Sequence, residues 1–68
     1  MKYIEFKDRG LYVSVLNKKY KSELGQISYY ASWKEHVFLP KNAYFSADCL
    51  IEIIRKLEAM NRGEEPQG

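Results

Sequence analysis

The two side chains best suited to covalent chemistry are the only cysteine, Cys49, and the only histidine, His36. Cys49 falls at the start of a predicted helix, where a thiol can become reactive, and His36 could act as its base. Around them the sequence has no CxxC or HExxH motif, no glycine-rich phosphate loop and no set of three or four metal ligands. We therefore predict a protein that is not an enzyme and has no cofactor and no metal. Cys49 is predicted to be a small apolar residue at the edge of the core.

The aromatic residues suggest binding rather than catalysis, because all ten of them lie before Ser46. One inner sheet face cannot bury them all, and alternation places some on the outer face. We predict that Tyr12, Tyr30 and Trp33 are anchors of a partner-binding surface, with Lys34 and His36 at its rim. The alternative is that these rings are cross-strand pairs that stabilise a thin sheet.

Two kinds of partner fit such a surface. Tyrosine and tryptophan carry much of the energy of protein interfaces, which favours another protein or a second copy of the chain as the partner. Aromatic rings flanked by lysines also stack on nucleic-acid bases, which gives the alternative partner. The predicted phosphate contacts are then Lys7, Lys18, Lys19 and Lys21. Charge is uneven, because eight basic and four acidic residues precede Ser46 although the whole chain carries only +2.

The elements that position these residues follow from periodicity. Residues 2–7 and 11–16 alternate around a turn and predict a hairpin, and 24–31 predicts a third strand in which Gly25 indicates a bulge or a close backbone approach. A fourth strand is predicted at 36–39. Apolar residues at helical spacing, with Ser46 as N-cap, predict a helix over 46–62.

This order predicts an α+β fold, a four-stranded antiparallel ββββα meander with the helix packed on one sheet face. Residues 1–63 are predicted to be the single domain and 64–68 a flexible tail. The helix is expected to cover Ile4, Phe6, Val13, Val15, Ile27 and Tyr29 or their neighbours. Its buried stripe is expected to comprise Leu50, Ile53, Ile54, Leu57 and Met60. In the fourth strand either Val37 and Leu39 or His36 and Phe38 point inward, and the sequence leaves both registers open.

Composition narrows the setting. The apolar runs are too short to span a bilayer, the N-terminus has no signal-peptide pattern, and one cysteine forms no internal disulfide. A chain of 68 residues also has little room for a deep ligand pocket. We expect a cytoplasmic protein with no membrane contact and no small-molecule substrate.

Between residues 24 and 61 the chain carries "LGQI", "WKEHVFLP" and "FSADCLIEIIRKLEAMN". With these segments it resembles a group of small phage and prophage proteins that have no established activity. The matching positions are Leu24, Gly25, Ile27, Trp33, Lys34, Phe38, Pro40, Cys49, Leu50 and Asn61. The sequence departs from the group's pattern at Lys34, where arginine is more usual, at His36, where an aromatic ring is expected, and at Met60. The resemblance implies a small accessory protein of a virus or mobile element that binds, and can inhibit, a host protein, or that binds nucleic acid.

Overall fold

The structure is a computed structural model that describes residues 2–63. Four strands form one antiparallel sheet in the order β1-β2-β3-β4, and one helix follows. The elements are β1 (Ile4–Asp8), β2 (Val13–Asn17), β3 (Glu23–Tyr30), β4 (Glu35–Pro40) and α1 (Ala47–Asn61). The predicted α+β meander is therefore confirmed. The predicted flexible tail at 64–68 lies outside the described residues.

The first turn is longer than alternation predicted, so β2 begins at Val13 rather than at residue 11. The Arg9 amide donates to the Tyr12 carbonyl at 2.8 Å, and the Asp8 carboxylate accepts from the Gly10 amide at 2.8 Å. Gly10 has φ +93°, a conformation that glycine adopts without the steric cost other residues bear. These contacts keep Leu11 in the turn, where it is 91% exposed.

The core lies between the sheet and α1. Its buried members are Ile4, Val13, Val15, Leu24, Ile27, Ile53 and Met60. Four of the six residues predicted to lie under the helix are thus buried, and Phe6 packs against them half-buried with the Lys56 Nζ 5.4 Å from its ring centroid. The prediction for Tyr29 was wrong, because it lies near the end of β3 and is 56% exposed.

The helix is rotated relative to the predicted buried stripe. Ile53 and Met60 are buried and Leu57 packs half-buried against the core, as expected, but Leu50 and Ile54 are exposed and the carboxylate residue Glu52 is buried instead. Glu52 turns inward because its oxygens accept hydrogen bonds from the Tyr3 and Ile4 amides at 3.0–3.2 Å. A hydrophobic-spacing argument does not detect this contact, since the donors, Tyr3 and the first residue of β1, are far from Glu52 in the sequence.

The register of β4, left open by the sequence, directs His36 and Phe38 toward the helix. Phe38 pairs with Ile27 across the sheet and packs its ring edge-to-face on Phe45, with centroids 5.6 Å apart. Gly25 makes this register accessible, since a Cβ there would lie 2.7 Å from the Phe38 ring and 2.5 Å from the Leu39 carbonyl oxygen. Both features predicted for Gly25 are present, because the β2–β3 register also shifts beside it.

Two polar residues of α1 show how the helix crosses the sheet. Glu52 binds the start of β1, one edge strand, and Asn61 binds His36 in β4, the other edge strand. The two lie nine residues apart in the helix, about 14 Å at the helical rise per residue. Three strand spacings also amount to about 14 Å. The helix therefore has the length needed to reach from one sheet edge to the other between these two contacts.

Candidate binding surface

Part of the sheet face away from the helix is occupied by a chain of polar contacts. The Lys41 Nζ lies 2.6 Å from a Glu23 carboxylate oxygen, and the Ser14 hydroxyl donates to the other Glu23 oxygen at 2.8 Å. Arg9 Nε donates to the same hydroxyl at 3.1 Å. The hydrogen bond from Lys41, followed by that from Ser14, holds the pKa of Glu23 below its usual value. This part of the face links β2, β3 and the end of β4 and presents little unpaired charge.

The predicted phosphate-contact residues are not grouped as a free cationic surface. Lys21 forms an ion pair with Glu5, and the hydrogen bond from Lys21 holds the pKa of that carboxyl below its usual value. The Lys19 Nζ lies 5.2 Å from the Tyr20 ring centroid. The remaining predicted phosphate contacts are Lys7, which is exposed in β1, and Lys18, whose amide bonds to the Tyr3 carbonyl at 3.1 Å.

The other part of the outer face is apolar. Tyr30, Trp33, Val37 and Leu39, here called the aromatic patch, line an open hollow of about 390 Å³ together with Phe38. The Tyr30 and Trp33 rings meet edge-to-face, with centroids 5.0 Å apart and planes at 89°. Trp33 is 66% exposed and Leu39 47% exposed. A contiguous exposed apolar surface of this kind on a small protein is typical of an interaction site.

The turn between β3 and β4 positions the two rings. The Trp33 amide donates to the Tyr30 carbonyl at 3.1 Å, and the Lys34 amide donates to the Ala31 carbonyl at 3.2 Å. Lys34 adopts φ +56°, which closes the turn before Glu35 pairs with Tyr30. Trp33 is thereby held beside the last residue of β3 by backbone hydrogen bonds as well as by ring packing.

The structure brings together only some of the predicted partner-binding residues. Tyr30 and Trp33 are in the aromatic patch, and Lys34 is exposed in the adjacent turn. Tyr12 is half-buried just before β2 and is not among the residues that line the hollow. Extending the β2–β3 register by one residue places Tyr12 opposite Ser28 in β3, and Ser28 pairs in turn with Val37 in β4. Strand β3 therefore lies between Tyr12 and Val37.

The predicted position of His36 at the rim was wrong. His36 is 5% exposed on the helix side, where its ring also meets Tyr29 edge-to-face at 5.3 Å. Asn61 Oδ1 accepts from the His36 amide at 2.6 Å and contacts its Nδ1 at 3.1 Å. His36 is thus a structural link between β4 and the end of α1.

Val37 and Leu39 are the members of the patch that sequence reasoning missed. They point outward because His36 and Phe38 point inward, and the signal for that register was Gly25. A glycine in a central strand leaves room for an aromatic ring from the neighbouring strand, which here is Phe38. Recognising that pairing would have selected the outward position of Val37 and Leu39.

Cys49 and His36 do not form a catalytic pair. Cys49 is half-buried in the first turn of α1, whereas His36 contacts Asn61 at the last residue of the helix. The two ends lie about 18 Å apart at the helical rise per residue. Within residues 2–63 no three or more His, Cys, Asp or Glu side chains are grouped so that they could hold a metal ion.

Among the described residues, no helix has the length and hydropathy needed to cross a bilayer. Comparisons of the chain with protein-family models, curated proteins and solved structures found no match.

Proposed function

We propose that this protein is a non-enzymatic binding module that binds another protein through the aromatic patch. The observation that supports this most directly is the hollow between Trp33 and Leu39, an open apolar surface beside a network of satisfied polar groups. The resemblance to small phage and prophage proteins supports the corresponding role, an accessory factor that binds and can inhibit a host protein.

The patch has the composition and rigidity of an interface anchor. Edge-to-face packing and the turn hydrogen bonds restrain Tyr30 and Trp33 before a partner arrives, so little side-chain entropy is lost on binding. Trp and Tyr are also the residues that most often dominate interface energies. We infer that the partner inserts an apolar side chain between Trp33 and Leu39.

The charged residues around the aromatic patch indicate which charge the partner surface should carry. Lys34 is exposed beside the patch, and basic residues outnumber acidic ones two to one before Ser46. Such a potential attracts carboxylates during encounter and disfavours a basic partner. The partner surface we propose is therefore an apolar side chain flanked by Asp or Glu.

Nucleic acid fits this surface less well. Base stacking would use the exposed faces of Tyr30 and Trp33, but phosphate binding requires available cations. Lys34 is exposed beside the two rings, but on the same sheet face Lys21 and Lys41 are already paired with Glu5 and Glu23, so few cations are left to follow a phosphate backbone.

Trp33 provides a direct test because it is the only tryptophan in the chain. A displayed library of random peptides is selected against the intact protein, and each selected peptide is then titrated while Trp33 emission is recorded. We expect the selected peptides to combine apolar and acidic residues and to shift the emission to shorter wavelength. Leu39→Lys should weaken binding by about tenfold or more, as expected for an anchor pocket. The matched control is Leu11→Lys, which makes the same substitution at a residue that is 91% exposed in the β1–β2 turn and does not line the hollow.

Two results would overturn the proposal. One is a set of peptides that bind wild type, L39K and L11K equally, which would place the binding surface elsewhere. The other is a library that yields no binders while a single-stranded or duplex oligonucleotide shifts the Trp33 emission with steep salt dependence, which would establish the nucleic-acid alternative.

A further inference from the structure

The side of α1 that faces away from the sheet carries an unexpected apolar surface. Leu50, Ile51 and Ile54, here called the helix strip, are 42%, 45% and 51% exposed. They are exposed because the inward rotation of Glu52 aligns Ile53 and Met60 with the core and turns the strip toward solvent. Ile54 lies four residues after Leu50 and three after Ile51, so its side chain neighbours both and joins them into one apolar ridge.

Charged residues are placed symmetrically about the middle of this ridge. Asp48 lies three residues before Ile51 and Arg55 four residues after it, so each is about one helical turn away on the same side of α1. The midpoint between the two charges lies between Ile51 and Glu52, and a surface with opposite charges on either side of such a centre is complementary to itself when rotated by 180°. This is the property that a two-fold symmetric interface requires.

A hollow beside Ile51 gives a second copy space to pack. Its volume is about 420 Å³, and it lies between α1 and the N-terminus of the chain. It is lined by Lys2, Tyr3, Asp48, Ile51, Glu52 and Arg55. Four of these six residues are charged, so the hollow can accept the charged side chains of an opposing helix beside Asp48 and Arg55.

We propose that two copies of this protein associate through the helix strip, with their α1 helices antiparallel about a two-fold axis near Ile51. Asp48 of each copy then lies opposite Arg55 of the other, and Leu50 and Ile54 close the contact around the axis. Antiparallel helices also align their dipoles in opposite directions, which is favourable.

This interface is independent of the proposed partner-binding surface. The helix strip and the aromatic patch lie on opposite layers of the domain, so a dimer presents two patches facing outward. Binding to a partner with two sites, or to a dimeric partner, would then gain from avidity. The dimer does not depend on the proposed function, because its measurement needs no partner.

Charge reversal gives a test with an internal rescue. Sedimentation equilibrium of the full chain should show a concentration-dependent dimer. Asp48→Arg creates two Arg–Arg contacts and Arg55→Asp creates two Asp–Asp contacts, so each variant alone should weaken the dimer by about tenfold or more. An equimolar mixture of D48R and R55D restores opposite charges at both contacts and should form heterodimers. Glu35→Arg, an acidic-to-basic change at an exposed residue of the sheet, should leave the dimer unchanged.

Asp48 and Arg55 are both exposed on α1, so we expect each variant to retain the fold. Circular dichroism of each variant checks this expectation. Wild type that stays monomeric at high concentration would overturn the proposal. Single variants that dimerise as wild type does, or a mixture that fails to associate, would overturn the antiparallel pairing. Loss of the dimer in Leu39→Lys with retention in D48R would place the contact on the sheet instead.

Discussion

Lys34 shows how a single residue holds the turn that presents Trp33. Its φ of +56° is in the left-handed region, where a side chain with a Cβ is strained and glycine is not. We predict that Lys34→Gly stabilises the protein by about 0.5–1 kcal/mol, because release of this strain exceeds the added freedom of the unfolded chain. Urea unfolding monitored by Trp33 fluorescence measures the change.

Lys21 provides the comparison, because it has φ +61° but also forms the ion pair with Glu5. Lys21→Gly removes that pair as it relieves the backbone, so its gain should be smaller than that of Lys34→Gly. If Lys34→Gly destabilised the protein, backbone strain at Lys34 would not be what limits the turn.

Gly25 is required by packing rather than by its backbone angle. A Cβ at this position would meet the Leu39 carbonyl oxygen at 2.5 Å and the Phe38 ring at 2.7 Å, and the carbonyl belongs to a paired strand that cannot move alone. We predict that Gly25→Ala destabilises by about 1–3 kcal/mol, the usual cost of overpacking. Gly10→Ala, in open space at φ +93°, is the comparison, because its cost is backbone strain alone. A Gly25→Ala protein as stable as wild type would show that β4 can move away without loss.

At the level of the secondary-structure elements, the Glu23 side chain links three strands through an ion pair and a hydrogen bond. Its carboxylate binds Lys41, which follows β4, and Ser14 in β2, and both hydrogen bonds lower its pKa. A carboxyl with a lowered folded-state pKa contributes stability above its unfolded pKa, which is about 4.3. That contribution is lost as pH falls through the folded value, since protonation then favours the unfolded chain.

We therefore predict that Glu23→Gln makes the protein less sensitive to acid. Urea unfolding at pH 7 and at a pH below about 4 should show a smaller difference in the free energy of unfolding for the variant than for wild type. Added salt should also reduce the acid sensitivity of wild type toward that of the variant, because the Glu23 and Lys41 side chains are partly exposed and their attraction is screened. An unchanged acid sensitivity would mean that Glu23 contributes nothing to it.

The order of elements was predictable from the sequence because the relevant signals are local. Alternation in β1 and β3 and the Ser46 cap, whose hydroxyl accepts from the Cys49 amide at 3.2 Å, each lie within a few residues. The β4 register and the helix rotation were not predictable in the same way. They depend on Gly25 with Phe38 and on Glu52 with the start of β1, contacts between residues far apart in the sequence. The composition of the aromatic patch follows from the register, so the site was predicted only in part.

For the whole molecule, the helix stabilises the two sheet edges as well as the core. The Asn61 side chain accepts a hydrogen bond from the outward-pointing backbone amide of His36 in β4, and the Glu52 side chain accepts one from that of Ile4 in β1. Pro40, at the end of β4, has no amide hydrogen to offer. Exposed strand edges are templates for pairing with other chains, and these residues reduce the edge that each outer strand presents. Association through these ends of the two edge strands is therefore disfavoured.

If the Glu52 and Asn61 contacts stabilise the protein independently, the losses in the free energy of unfolding caused by removing each of them should add. Removing either acceptor leaves buried or half-buried amides without a partner, so Glu52→Ala and Asn61→Ala should each cost about 1–3 kcal/mol. Sites about 14 Å apart that share no partner are usually additive within about 0.5 kcal/mol. Denaturant unfolding of wild type, both single variants and the double variant measures the coupling, and Glu52→Gln, which retains one acceptor oxygen, should lose less than Glu52→Ala. A coupling well above that limit would show that the helix shifts as one body when either edge is released, so that the orientation of the helix strip itself depends on both contacts.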